Sequence, residues 1–60
     1  MDREKIRNTE KKGAKLGLWD ARRGKNLGDD RAPHYEYPAS FLAGYRRGQR
    51  MVEEELLMAS

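Results

Sequence analysis

The sequence contains no cysteine, and its large apolar residues never run for more than three positions, at Leu56-Leu57-Met58. The first absence excludes disulfide bonds, thiolate metal sites and a cysteine nucleophile. The second excludes a membrane-spanning helix, which needs about 20 consecutive apolar residues. Residues 1–5 are charged and lead into no apolar stretch, so we expect no secretion signal and a cytoplasmic location.

The sequence also has few of the side chains that enzymes combine into catalytic sites. His34 is the only imidazole, and no carboxylate lies at a helical spacing from it. The adjacent pair Asp29 and Asp30 offers too few ligands to hold a metal ion. The hydroxyl groups without an evident base are those of Thr9, Ser40 and Ser60. We therefore expect a protein that is not an enzyme and that holds no metal and no cofactor.

Charge is present in quantity and is unevenly distributed. The 60 residues carry 13 Lys or Arg and 10 Asp or Glu, a formal net charge of +3. Residues 1–28 hold nine basic and four acidic side chains, a net charge of +5, whereas residues 41–60 are neutral overall. A basic segment of this kind favours an anionic partner such as a nucleic acid.

The first 26 residues are rich in helix-forming Lys, Arg, Glu, Ala and Leu and contain no proline, which predicts a helix over about 2–26. Asp2 can cap its start with a carboxylate. Asn26 or Gly28 can adopt the left-handed conformation that ends a helix. No stretch of the chain alternates apolar and polar residues as a strand would.

A second helix is predicted over about 38–58, because Pro38 suits the first turn of a helix and the following residues are helix formers. The loop between the helices, about 27–37, carries glycine, aspartate and Pro33. We expect an all-α fold in which residues 1–60 form a single small domain. The predicted architecture is a two-helix antiparallel hairpin joined by this proline-containing loop.

Small residues recur at helical spacing in both helices, at Gly13, Gly17, Ala21 and Gly24 and again at Gly44 and Gly48. Because glycine costs a helix about 1 kcal/mol relative to alanine, we interpret these positions as sites of close helix–helix approach. The second helix carries an apolar stripe at helical spacing, formed by Phe41, Tyr45, Val52 and Leu56. The predicted core consists of Gly17, Trp19, Ala21, Gly24, Phe41, Leu42, Gly44, Tyr45, Gly48 and Val52.

Three segments together resemble the ribosome modulation factor family: residues 17–24 (GLWDARRG), 32–35 (APHY) and 41–47 (FLAGYRR). Members of that family are small bacterial proteins with a glycine-rich basic first helix, a Cys-Pro-Tyr loop and an aromatic-Leu-Gly-Gly-aromatic-Arg motif that opens the second helix. The family's cysteine and its second glycine are replaced here by Ala32 and Ala43.

The resemblance implies a ribosome-associated, RNA-binding modulator that binds rRNA of the small ribosomal subunit and represses translation, as in ribosome hibernation. Backbone recognition of RNA requires cations on a rigid frame, and we expect these to form one electropositive surface. The candidate RNA-binding residues are Lys11, Lys12, Lys15, Arg22, Arg23, Lys25, Arg46, Arg47 and Arg50.

A second interpretation is a small phage- or plasmid-type protein-binding modulator that inhibits a host enzyme. Short chains with mixed charge suit folding or dimerisation on a protein partner. In this interpretation Met51, Leu57 and Met58 form the contact, and Arg46 and Arg47 pair with carboxylates of the partner. A protein partner or a homodimer therefore stands as an alternative to RNA.

Overall fold

A computed structural model describes residues 2–59, so Ser60, considered above for its hydroxyl group, lies outside the described residues. Two long helices, α1 (Arg3–Arg22) and α3 (Pro38–Ala59), pack against each other. Between them lie a short helix, α2 (Gly28–Arg31), and a 3-10 turn (Ala32–His34). The predicted all-α class, the two long helices and the proline-containing segment between them are confirmed.

The start of α1 agrees with the prediction from the sequence, and its end does not. Asp2 caps the first turn, because its carboxylate accepts hydrogen bonds from the backbone N–H groups of Glu4 and Lys5 at 3.1 and 3.3 Å. The helix ends at Arg22, four residues earlier than predicted. Gly24 ends it, with a φ of 71° that glycine adopts without steric strain.

The two long helices run parallel, and the predicted antiparallel arrangement is wrong. The backbone of α1 meets Phe41 at Gly13 and meets Tyr45 one turn later at Gly17. Contacts that advance in the same direction along both helices require parallel axes. The reason lies in the connector, residues 23–37, which is long enough to return along the pair instead of making a short turn.

Two ion pairs between the long helices follow the same order. Glu10 pairs with Arg47 at 2.8 Å, and further along both helices Arg22 pairs with Glu55 at 3.4 Å. The end of α1 therefore lies level with Glu55, and the last turn of α3 continues beyond it.

Glycine brings the backbones of α1 and α3 into direct contact, as the spacing predicts. A Cβ atom at Gly17 would overlap the carbonyl oxygen of Tyr45 and lie 2.9 Å from its Cα. A Cβ at Gly48 would overlap the carbonyl oxygen of Ala14, and Gly13 and Gly44 meet equivalent backbone atoms. At such crossings glycine Cα–H groups can also donate weak hydrogen bonds to carbonyl oxygens.

The side-chain core lies where the connector covers the helix pair. Phe41 and Tyr45 are fully buried, and Tyr35 of the connector stacks on Phe41 with ring centroids 4.1 Å apart. Ala32 of the 3-10 turn completes the cluster, and Val52 is buried further along α3. Leu42, another predicted core residue, is partly buried against the cluster.

Three residues predicted to pack in the interior are exposed instead. Trp19 keeps 54 % of its surface accessible, because it lies about 200° around α1 from Gly17, on the side away from α3. Leu56 is 67 % exposed, because at this point α3 extends beyond the end of α1 and no longer has that helix to pack against. Gly24 is exposed because it lies just after the end of α1, where an added Cβ would find no atom within 4 Å. Ala21, by contrast, is half-buried.

A buried carboxylate attaches the connector to both long helices. Arg31 of α2 donates two hydrogen bonds to Asp20, from Nε at 2.9 Å and from Nη2 at 3.2 Å. The Tyr45 hydroxyl donates to the same carboxylate at 2.5 Å and accepts from the backbone N–H of Leu27 at 2.9 Å. This network of Asp20, Arg31 and Tyr45 holds the returning connector in place.

We expect Gly44→Ala to destabilise the protein although alanine is the better helix former. A Cβ at this position would overlap the carbonyl oxygen of Glu10 and force the helices apart. The expected loss in the free energy of unfolding is about 2 kcal/mol, as for other overpacked sites. Urea unfolding followed by circular dichroism measures it.

The neighbouring exposed position provides the control. Ala43→Gly in the same turn is expected to cost about 1 kcal/mol from helix propensity alone. A Gly44→Ala protein as stable as the wild type, or more stable, would contradict direct backbone contact between α1 and α3.

Candidate nucleic-acid interface

The side of α1 that faces away from α3 carries a continuous series of cations around one aromatic residue. Lys11, Lys15 and Trp19 each lie two residues from Gly13 or Gly17, which turns their side chains about 200° away from the helix contact. All six side chains of the series, named in the next sentence, are exposed. We call this series the outer face of α1; it consists of Lys11, Lys12, Lys15, Trp19, Arg22 and Arg23.

No exposed carboxylate of α1 lies within the outer face, and the one carboxylate that reaches it from α3 is Glu55, 3.4 Å from Arg22 at its end. Between Lys11 and Arg22 the only acidic residue of α1 is Asp20, which is 2 % exposed and directed into the network with Arg31 and Tyr45. The one negative charge in this part of the helix is therefore removed from the surface. The sequence alone did not indicate this, because a charged residue next to exposed cations has the pattern of a solvated position.

The environment of Asp20 keeps its carboxyl group ionised. Burial raises the pKa of Asp20, but the hydrogen bonds from Arg31 and Tyr45 outweigh burial, so the net pKa lies below the ordinary value. For Tyr45, burial and the hydrogen bond to the Asp20 carboxylate both raise the pKa of the phenol. The hydrogen bond to Asp20 raises the pKa of Arg31. The network is thus a stable combination of carboxylate, guanidinium and neutral phenol.

Trp19 and Arg23 form a pair at the end of the outer face. The guanidinium carbon of Arg23 lies 4.4 Å from the centre of the Trp19 ring, within the range of a cation–π interaction. One turn of helix separates the two residues, which brings their side chains to the same side.

The arginines of α3 lie on a different surface. Arg46 and Arg50 are each two residues from Gly44 or Gly48, so they face away from α1. Arg47, beside them, is paired with Glu10. The nine predicted cations therefore do not form one surface, and that expectation is wrong. The two helices meet through their glycines, which leaves the cations on opposite outer sides.

Two of the predicted cations form ion pairs with carboxylates of residues 2–59. The Arg22–Glu55 pair is long, and both side chains are more than half exposed, so it contributes little and leaves Arg22 accessible. The Arg47–Glu10 pair is shorter, and Glu10 is partly covered. Lys25 follows the end of α1 and is exposed.

The connector offers little chemistry of its own. His34 is exposed at the end of the 3-10 turn, where it borders an open depression together with Arg31 and Tyr35. Within residues 2–59, no cluster of three or more His, Cys, Asp or Glu side chains is placed to hold a metal ion. In the same range, no helix has the length and apolar character required to cross a membrane.

Comparisons with protein families, with curated proteins and with solved structures give no match to this chain. The similarity to the ribosome modulation factor family thus stays a prediction from the sequence motifs.

We expect the Asp20 network to make stability depend on acid pH. Because the folded-state pKa of Asp20 is lowered, its contribution is complete above the unfolded pKa of about 4 and is lost as pH falls through the folded value. Asp20→Asn should reduce the free energy of unfolding by about 2 kcal/mol at pH 7. The difference from the wild type should shrink at about pH 3. Urea unfolding at the two pH values measures both.

Glu54→Gln, at an exposed position of α3, serves as the control and should differ little from the wild type at either pH. An Asp20→Asn defect of the same size at both pH values would show that the charge of Asp20 does not stabilise the fold.

Proposed function

We propose that this protein binds RNA through the outer face of α1. The proposal depends on one observation: five exposed cations and an exposed tryptophan share one helix surface, and the carboxylate among them is buried. The members with positive charge are Lys11, Lys12, Lys15, Arg22 and Arg23.

The dimensions of this surface suit a polyphosphate backbone. From Lys11 to Arg22 the outer face extends about 17 Å along the helix axis, at about 1.5 Å per residue. Lysine and arginine along such a length can contact several consecutive phosphates and release their counterions. An isolated small anion would use only a fraction of this surface.

The resemblance to the ribosome modulation factor family supports rRNA of the small ribosomal subunit as the partner. On this proposal the protein is a cytoplasmic modulator that represses translation. The tight helix pair would serve as the rigid frame, and the Asp20 network would keep the connector away from the bound backbone. Arg46 and Arg50, on the opposite side, would add to long-range attraction without contacting the same RNA segment.

Paired substitutions test which surface binds RNA. Lys11→Gln with Lys15→Gln and Arg46→Gln with Arg50→Gln each remove two positive charges, from the outer face of α1 and from the far side of α3 respectively. We expect the first pair to weaken RNA binding about tenfold, and the second pair to weaken it less than threefold. Fluorescence anisotropy with a labelled fragment of small-subunit rRNA gives both affinities.

Salt dependence is measured in the same assay. If about four phosphates are neutralised, the logarithm of the association constant should fall against the logarithm of salt concentration with a slope near −3. Equal effects of the two charge pairs would argue for attraction by net charge alone. A flat salt response would contradict phosphate contacts altogether.

The exposed end of α3 favours a second candidate function, the binding of a protein. Beyond the level at which α1 ends, Leu56 and Met58 are 67 % and 88 % exposed, and Met51 is 49 % exposed one to two turns earlier. On this proposal the protein is a modulator that docks this apolar end onto a host enzyme. Met51→Ser with Met58→Ser should then abolish capture of that protein from nuclease-treated lysate, while leaving RNA binding unchanged.

A further inference from the structure

Trp19 lies outside the apolar core of the fold. It is 54 % exposed, whereas the aromatic cluster of Tyr35, Phe41 and Tyr45 lies on the other side of α1, under the connector. An exposed indole loses the free energy that burial of so large an apolar group would supply. A ligand that covered the indole would gain part of that free energy.

Arg23 shapes the surface that such a ligand would meet. Its guanidinium carbon lies over the indole, 4.4 Å from the ring centre, so a cation and an aromatic ring are in direct contact at the surface. Nucleobases stack on aromatic rings and on arginine guanidinium planes. The cation–π contact also holds Arg23 in place before any ligand arrives, which lowers the entropy lost on binding.

The charges around Trp19 identify the chemistry of the ligand. Lys15 lies one turn before it and Arg22 one turn after it on the outer face, and the adjacent carboxylate of Asp20 is buried. A group that stacks on the indole thus has cations on both sides along the helix and no exposed carboxylate of α1 between them, although Glu55 of α3 lies beside Arg22. Planar bases linked by phosphates match this arrangement.

We infer that Trp19 and Arg23 form a stacking site for an unpaired nucleobase, so that the RNA is single-stranded where it meets α1. This inference rests on the proposed function and specifies the class of RNA. Within a duplex the bases are stacked on one another, so that only the two end pairs present a free face to the indole, whereas every unpaired base of a single strand can do so. Phosphates on either side of the stacked base would contact Lys15 and Arg22.

The test compares RNA of two forms on two proteins. The probes are an unstructured 12-nucleotide RNA and a 12-base-pair RNA duplex. The proteins are the wild type and Trp19→Ala, which should fold normally because Trp19 is outside the core. We expect the wild type to bind the single strand about tenfold more tightly than Trp19→Ala does. Duplex affinity should be the same for both proteins.

Intrinsic fluorescence gives a direct readout, because Trp19 is the only tryptophan of the chain. The single strand should quench it at saturation, and the duplex should leave it nearly unchanged. Met58→Ala, which removes another exposed apolar side chain, is the matched control and should bind both RNAs like the wild type. Equal melting temperatures of all three proteins would show that the comparison is not affected by folding.

The outcomes separate this inference from the proposed function. If Trp19→Ala binds the single strand as tightly as the wild type while Lys11→Gln with Lys15→Gln does not, the stacking site is refuted and RNA binding stands. If the wild type binds neither RNA, both proposals fail. If Trp19→Ala loses only a protein captured from nuclease-treated lysate, the indole is a protein contact and the stacking site is likewise refuted.

Discussion

The structure depends on direct contact between two helix backbones. The backbone of the other helix occupies the space that a side chain would fill at four glycines, Gly13, Gly17, Gly44 and Gly48. Such contact gains dispersion energy over many atoms but leaves no room for a bulky core between the helices. The large apolar groups must therefore pack elsewhere, and they do so under the connector.

The parallel direction of the helices makes the connector part of the core. A parallel pair needs a chain segment that returns to the starting end, and this segment supplies Ala32 and Tyr35 to the apolar cluster. Parallel helix dipoles also repel each other weakly, since their negative ends lie at the same side of the molecule. Arg22 and Arg23 at the end of α1 reduce this repulsion. The Asp20 network then fixes the returning segment to α1 and α3, through Arg31 and the backbone of Leu27.

Local features of the fold followed from the sequence, whereas features that depend on distant contacts did not. The Asp2 cap, the helix start at Pro38 and the glycine contacts are set by neighbouring residues or by spacing. Helix direction is decided by where the connector binds, and no periodicity encodes that. Asp20 was missed for a related reason: its partners, Arg31 and Tyr45, are 11 and 25 residues away.

The candidate site shows the same division. Its basic residues could be identified from the sequence. The prediction that they form one surface assumed that both helices would present them on the same side of the molecule. Because the glycines occupy the contact face of each helix, side chains two residues away must point outward, and the two basic groups are separated. The same geometry places Trp19 outside. The tight packing that makes α1 and α3 a rigid unit is thus also what exposes an indole among cations, at the surface where a flexible polyanion can reach it.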